Sequence, residues 1–128
     1  MSRDRLATVN LRDARLIRIL EAALQSVEPA HLVADYLRNT GLPPHSRCFM
    51  LGMGKAAEAM THGAAEIIRD FEAALVITKQ STSASTPRFT ILEAGHPIPD
   101  ERSLAAGQAV LDFVAHLQPE DLLLCLIS

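Results

Sequence analysis

The sequence predicts an α/β fold in which a Rossmann-like parallel sheet carries helices on both faces. Four short apolar runs alternate with segments of helical periodicity, and continuous apolar runs are typical of strands buried on both sides. The chain has 128 residues, 48% of them hydrophobic, and a formal net charge of −3. This apolar content is too high and this charge too small for a disordered chain. The predicted strands are 48–51, 73–78, 89–92 and 122–127.

The charge balance and the apolar segments also exclude several functional classes. With 12 Lys+Arg against 15 Asp+Glu, the chain has no basic excess for binding nucleic acid through its phosphates. No apolar segment follows the first residues, as a secretory signal would require. The longest apolar run, 122–127, is far shorter than the roughly 20 residues of a membrane span. We therefore expect a cytoplasmic protein that binds neither nucleic acid nor membranes.

Helix signals place two helices before the first strand. Apolar residues recur at helical spacing over 10–27, where Asn10 is the expected N-cap. Pro29 is expected to begin a second helix over about 30–39, which ends at Gly41. These helices form a lead-in over residues 1–45, ahead of a βα core over 46–128.

Two further helices are predicted inside that core. An alanine-rich segment over 55–68 follows the first strand, and Ser103 is the expected cap of a helix over about 104–117. The polar segment 79–88 is rich in Ser and Thr and predicts a mobile loop. The chain stops at Ser128, directly after a run typical of a central strand. We therefore expect the N-terminal piece of a longer, two-domain protein.

The two cysteines, Cys48 and Cys125, lie inside apolar segments and lack the spacing of a metal site. We expect both thiols to be buried in a reducing compartment. The histidines offer no metal spacing either, and we interpret those on helices or in the connector as surface or hydrogen-bonded residues. No metal site is predicted within the chain.

The strongest candidate for chemistry is the turn Gly52-Met53-Gly54-Lys55, between a strand and a helix. Open α/β sheets bind ligands at such strand ends. Glycines let the backbone approach an anion, and the free N–H groups of a helix start attract negative charge. The alternative is a tight turn with Lys55 solvated. The segment fits the loose dinucleotide pattern GxGxxA, but Thr78-Lys79 stands where that pattern expects an acidic residue.

A second candidate is the proline-stiffened loop that contains His96 and Asp100. These side chains could orient a hydroxy acid or accept its proton. Alternatively, the prolines shape the turn and Asp100 begins the cap of the next helix. The third candidate, Ser128, either lies at another phosphate-binding strand end or is only a terminal residue.

In four segments the chain resembles the MOFRL-type glycerate 2-kinases, some of which are named hydroxypyruvate reductases. The resemblance covers nearly the whole chain, and the Gly-His-Pro-x-Pro-Asp stretch and the final Leu-Ile-Ser are its most specific parts. The segments are Gly52-Met53-Gly54-Lys55-Ala56-Ala57, Leu75-Val76-Ile77-Thr78-Lys79, Glu93-Ala94-Gly95-His96-Pro97-Ile98-Pro99-Asp100 and Asp121-Leu122-Leu123-Leu124-Cys125-Leu126-Ile127-Ser128.

The resemblance implies transfer of the γ-phosphoryl group of ATP to the 2-hydroxyl of D-glycerate, with Mg²⁺ bridging the nucleotide phosphates. It implies that Lys55 contacts the transferring phosphoryl group or the substrate. It places Gly95, His96 and Asp100 near a cleft that a second domain closes. Two departures are Met53, where a smaller residue is common, and 80–86, which lacks the Gly and His that often follow the preceding segment.

Three alternatives remain open from the sequence. The GxGxxA pattern fits an NAD(P)-dependent hydroxypyruvate reductase. The Gly-Lys turn also resembles the first loop of phosphosugar-binding isomerase-like domains, although Ala56 stands where those domains usually have Ser. Finally, the chain could be an inactive fragment that forms a homodimer through exposed sheet edges.

Overall fold

In the computed structural model, which describes residues 13–128, four strands form one parallel sheet. The strands are β1 (Cys48–Met53), β2 (Phe71–Thr78), β3 (Phe89–Glu93) and β4 (Leu122–Ile127). The helices are α1 (Ala14–Ser26), α2 (Pro29–Thr40), α3 (Ala57–Ile67) and α4 (Glu101–Ala115). The predicted α/β fold is confirmed, and every predicted strand is present.

The lead-in helices are capped by carboxylates. The Asp13 carboxylate accepts the backbone N–H of Arg15 at 2.8 Å and begins α1, whereas the predicted cap, Asn10, lies outside the described residues. The second helix starts at Pro29, as predicted, and ends at Gly41, whose φ of 71° favours glycine.

The predicted cap of the last helix was wrong by three residues. Asp100, rather than Ser103, is the N-cap of α4. Ser103 completes a capping box, because its hydroxyl accepts the backbone N–H of Asp100 at 3.1 Å. Ser103 therefore belongs to the first turn, and the helix begins at Glu101. Two capping residues three positions apart give nearly the same sequence signal, which explains the error.

Helices α2 and α3 pack against each other on one face of the sheet. A Cβ atom on Gly63 would lie 2.1 Å from the carbonyl oxygen of Ala30, so a glycine is needed for this close approach. The strand residues that point into this core include Cys48, Met50 and Val76, all nearly fully buried. Burial raises the pKa of the Cys48 thiol.

Helix α4 covers the other face more loosely. It packs on β2 and β3, and Phe113 meets Phe49 of β1 edge to face with ring centroids 5.9 Å apart. A cavity of about 390 Å³ lies between this helix and the two strands. Helices therefore lie on both faces, but only one face is tightly packed.

The strand order is β3-β2-β1-β4. Successive strands are therefore added on one side of β1 first and on its other side later, so the strand order reverses at β1. From β1 the chain passes through α3 to β2 on one side, and it later returns through α4 to β4 on the other side. In open α/β sheets, ligands bind at the carboxyl ends of the strands where the order reverses. A ligand site is therefore expected at the carboxyl ends of β1 and β4.

Strand β4 differs from its prediction as a fully buried strand. It lies at an edge of the described sheet, and Cys125 and Ile127 are exposed. The expectation of two buried thiols therefore holds for Cys48 and fails for Cys125. Leu122, Leu124 and Leu126 point to the core, so Cys125 and Ile127 point to the opposite face, where α4 packs on β2 and β3 rather than on β4. None of the helices in residues 13–128 has the length and apolar character needed to cross a bilayer.

Candidate functional site

The Gly-Lys turn joins β1 to α3 at the strand-order reversal. Gly54 has a φ of 119°, which side-chain-bearing residues rarely adopt. Its N–H donates to the carbonyl of Ile77 at the end of β2, at 3.0 Å, and its carbonyl accepts the N–H of Ala57 at 3.3 Å. The turn is thus tied to the neighbouring strand and to the helix that follows.

Gly52 lets that helix approach the strand. A Cβ atom at this position would lie 2.5 Å from Thr61 Oγ1 and 3.3 Å from the Cβ of Ala57. The Thr61 hydroxyl is fully buried and donates to the Ala57 carbonyl at 2.7 Å. The start of α3 is therefore held in a fixed position against the end of β1.

Ser128 caps the same helix from a distant part of the sequence. Its Oγ accepts the backbone N–H of Ala56 at 2.9 Å, and its own N–H donates to the carbonyl of Met53 at 3.0 Å. Ala56, the N-cap residue, has no side chain that could do this. A Cβ on Gly54 would lie 2.2 Å from the Ser128 carbonyl oxygen. The structure thus brings Ser128 against Gly54 and the start of α3, a contact that the sequence did not predict.

Lys55 belongs to this turn and is exposed. Within residues 13–128 its ammonium group has no hydrogen-bond or ion-pair partner. The N–H groups of a first helical turn lack acceptors inside the helix, and the helix dipole adds partial positive charge there. A free ammonium beside a helix start is suited to an anionic oxygen, such as one of a phosphoryl group.

The loop after β3 is organised by Asp100. The carboxylate of this residue accepts the N–H of Gly95 at 3.2 Å and that of Ser103 at 3.1 Å, and it binds Arg102 at 2.8 Å. The hydrogen bond from Arg102 is the main cause that lowers the pKa of Asp100, and the backbone donors add to it. A Cβ on Gly95 would lie 2.7 Å from Asp100 Cγ. The capping interpretation of Asp100 is therefore what the structure shows.

His96 lies in the middle of this loop and is exposed. The peptide bond between His96 and Pro97 is cis. In the described part of the chain, no hydrogen bond or ion pair joins His96 or Asp100 to Lys55 or Ser128. The structure places both groups at the carboxyl edge of the sheet, two strands apart, without bringing them into contact.

Glu58, in the first turn of α3, was not among the residues predicted from the sequence. Its side chain is buried, and its carboxylate accepts both the N–H of Thr82, at 3.2 Å, and the hydroxyl of Thr82, at 3.0 Å. Burial acts to raise the pKa of Glu58, but hydrogen bonds from Ser83, Thr82 and Ser81 outweigh burial and hold this pKa below its usual range. Two features of the sequence could have pointed to this contact: Glu58 is a single carboxylate among alanines, and the segment 79–88 is rich in hydroxyl groups.

The 79–88 segment, predicted as a mobile loop, therefore follows a defined path at this edge. Ser81 donates its N–H to Glu93 Oε1 at 2.9 Å. Glu93 ends β3, so the loop is hydrogen-bonded on both sides. Across residues 13–128 no group of three or more His, Cys, Asp or Glu side chains could hold a metal ion. In the described residues the candidate site thus offers the Lys55 ammonium group rather than a set of metal ligands.

Comparisons with known proteins agree with the resemblance predicted from the motifs. A family model described as a domain of unknown function, DUF4147, matches residues 15–128. A D-glycerate 2-kinase from Thermotoga maritima is 32% identical over 114 residues, covering 88% of this chain and 27% of that protein. A protein from Agrobacterium vitis with a provisional hydroxypyruvate reductase name is 36% identical over 114 residues, covering 88% of this chain and 25% of that protein.

The fold is shared with a solved relative. The crystal structure of a glycerate kinase from Thermotoga maritima matches with a TM-score of 0.74 at 30% identity, covering 84% of this chain and 26% of that one. The chain therefore spans about a quarter of the length of these relatives. The predicted resemblance to the glycerate 2-kinases is confirmed for this part of the fold.

Proposed function

Because this chain belongs to the DUF4147 family, we propose that it is the N-terminal part of a kinase that phosphorylates D-glycerate. The reaction transfers the γ-phosphoryl group of ATP to the 2-hydroxyl and gives 2-phosphoglycerate. One observation carries the proposal. An exposed lysine without a partner among residues 13–128 lies beside a helix start at the strand-order reversal, where open α/β sheets bind anionic ligands.

The chemistry of phosphoryl transfer suits this turn. Such a reaction needs positioning of the two reactants and neutralisation of charge on the phosphoryl oxygens, and little covalent chemistry by the protein. The ammonium group of Lys55 supplies the positive charge. Gly52 and Gly54 leave room for Thr61 and Ser128, and Ser128 also accepts the Ala56 N–H, so the turn that carries Lys55 is held in a fixed position.

The hydroxy acid is assigned to the loop after β3. His96 is exposed at the carboxyl edge of the sheet, where its imidazole could hydrogen-bond the acid. Asp100 acts on the shape of this loop, since its carboxylate already binds Gly95, Arg102 and Ser103. Mg²⁺ belongs to the proposal and would supply positive charge to the ATP phosphates, but residues 13–128 supply no group of three ligands that would hold it. We also propose a cytoplasmic location.

The test is Lys55→Ala in the full-length protein. We expect kcat for D-glycerate to fall by roughly 10²–10³-fold or more, because one charge-stabilising donor is lost at the transferring group. The thermal midpoint should stay within the range of the parent protein, because Lys55 is exposed. Arg38→Ala, which removes an exposed cation on α2, is the control and should keep full activity. Near-normal phosphorylation by Lys55→Ala would refute the role.

A hydroxypyruvate reductase is the second candidate, and the name of the Agrobacterium vitis relative favours it. The end of β2 argues against this activity. Thr78 is buried there and Lys79 follows it, so the acidic residue that binds the ribose hydroxyls of a dinucleotide is absent from that position. Absorbance of a reduced nicotinamide cofactor, followed with hydroxypyruvate and without ATP, distinguishes the two. Oxidation of the cofactor under these conditions would favour the reductase.

A further inference from the structure

Two carboxylates hold the 79–88 loop from opposite sides, through consecutive backbone amides. The N–H of Ser81 donates to Glu93 at 2.9 Å, and the N–H of Thr82 donates to Glu58 at 3.2 Å. We refer to Glu58, Glu93 and these two amides as the carboxylate clamp. Because neighbouring amides are bound from different elements, the backbone at 81–82 is fixed in both position and orientation.

Glu58 is the buried half of the clamp. Only 7% of the residue is exposed, and burying a carboxylate is costly unless hydrogen bonds replace its hydration. Here the Thr82 N–H and hydroxyl both donate to it. Its position in the first turn of α3 also suits the positive end of the helix dipole. A buried, fully bonded carboxylate on a rigid helix is a firm anchor for a loop.

Glu93 connects the clamp to the second candidate loop. Its other carboxylate oxygen lies 3.9 Å from the guanidinium of Arg102. Arg102 in turn binds Asp100 at 2.8 Å, and Asp100 accepts the N–H of Gly95. A continuous series of polar contacts therefore runs from the first turn of α3 to the loop that carries His96.

The strand order gives this series its functional position. The Lys55 turn follows β1, the clamped loop follows β2 and the His96 loop follows β3, and these strands are neighbours in the sheet. The clamped loop thus lies between the group assigned to the phosphoryl donor and the group assigned to the hydroxy acid. Since rates of group transfer depend steeply on the relative placement of the reactants, a fixed loop at this place has a clear use.

We propose that Glu58 is a positioning residue, which holds the 79–88 loop as the wall between the Lys55 turn and the His96 loop and thereby sets the place of the hydroxy-acid acceptor. This inference rests on the proposed kinase function. Glu58 touches neither reactant in it. It acts through Thr82, Ser81 and Glu93, and its loss displaces the acceptor side while leaving Lys55 in the turn before α3.

The experiment compares Glu58→Ala with Glu58→Gln in the full-length protein. Glu58→Ala removes every acceptor, so we expect kcat/KM for D-glycerate to fall by roughly 10–100-fold, mainly through KM, with KM for ATP nearly unchanged. Glu58→Gln keeps a carbonyl oxygen that can accept from Thr82, so it should lie within about threefold of the parent protein. Glu66→Gln, an exposed position on the same helix, is the matched control.

A second measurement follows the loop itself and needs no enzymatic activity. Trypsin sites at Lys79 and Arg88 bracket the loop. Limited proteolysis of the loop and amide exchange at Ser81 and Thr82 should therefore both become at least about tenfold faster in Glu58→Ala. The loop opens more easily in this variant because its hydrogen bonds to Glu58 no longer have to be broken. Glu66→Gln should leave both rates unchanged.

The two measurements separate the two proposals. Unchanged loop cleavage and exchange in Glu58→Ala would overturn the clamp. A loosened loop with equal losses in both Glu58 variants, or with KM for D-glycerate unaltered, would overturn the positioning role. If the parent protein does not phosphorylate D-glycerate, the kinase proposal and the acceptor role fail together, while cleavage and exchange still decide whether Glu58 holds the loop.

Discussion

The Lys55 turn and the Gly95–Asp100 loop follow strands at the same edge of one sheet, yet they are built in different ways. The Lys55 turn depends on a residue far along the chain, since the helix that it opens is capped by Ser128. The loop after β3 is organised locally, by a carboxylate that binds residues within five positions of it. A turn at a ligand-binding edge can therefore be held in place by a residue that is distant in sequence or by residues of its own segment.

Gly54 is the position where a substitution should lower the free energy of unfolding most, because the Lys55 turn depends on its contact with Ser128. Gly54→Ala places a Cβ on a residue with a φ of 119° and 2.2 Å from the Ser128 carbonyl oxygen. We expect the free energy of unfolding to fall by about 2–4 kcal/mol, from backbone strain and the displaced contact. Urea unfolding measures this loss. A variant as stable as the parent protein would show that the contact between the turn and Ser128 does not hold the site together.

Gly52 tests the same region through packing alone. Gly52→Ala forces a Cβ to within 2.5 Å of Thr61 Oγ1, so it should lower the free energy of unfolding by about 1–3 kcal/mol, as overpacking does. The control is Gly107→Ala on α4, where a Cβ meets nothing within 4 Å. This substitution should stabilise the protein by about 0.5–1 kcal/mol, because alanine is the better helix former. If both substitutions raised the free energy of unfolding, or both lowered it, the packing explanation would be contradicted.

The locally built loop should show the smallest effect, and one that depends on pH. The pKa of Asp100 is lowered in the folded protein, so its stabilising contribution is present above the unfolded pKa of about 3.9. That contribution is lost as the pH falls through the folded value. Asp100→Asn keeps a side chain that caps helices well but removes the ion pair with Arg102.

We therefore expect Asp100→Asn to destabilise the protein slightly at pH 7 and to differ less from the parent protein as the pH falls below 4. Thermal unfolding between pH 7 and pH 3 measures the trend. Asp70→Asn, at an exposed turn position, is the control and should show no such convergence. A difference that grows on acidification would mean that Asp100 is not stabilised in its charged form.

Helix ends and turns that depend on neighbouring residues could largely be predicted from the sequence. Pro29 begins α2 and Gly41 ends it, as expected, because proline and glycine restrict or permit backbone angles wherever they stand. The Gly-Lys turn was found for the same reason. The interpretation of Asp100 as a cap was available, although the sequence alone could not choose between it and a role in binding.

Contacts between distant segments could not be read from the sequence. Glu58 was missed, because nothing in its own segment shows that Thr82, 24 positions away, donates to it. The exposure of Cys125 depends equally on a tertiary feature, because α4 packs on β2 and β3 and leaves that face of β4 exposed.

Periodicity and turn residues were enough to predict the α/β class, the order of helices and strands, and where the two candidate loops lie along the chain. Periodicity, helix caps and glycine positions act over a few residues, so they can be recognised from short stretches of sequence. The folded structure was needed to show that Ser128 caps α3 and that Glu58 binds the 79–88 loop through Thr82. Such contacts arise from the way parallel strands are ordered in space, and the spacing of residues along the chain does not specify that order.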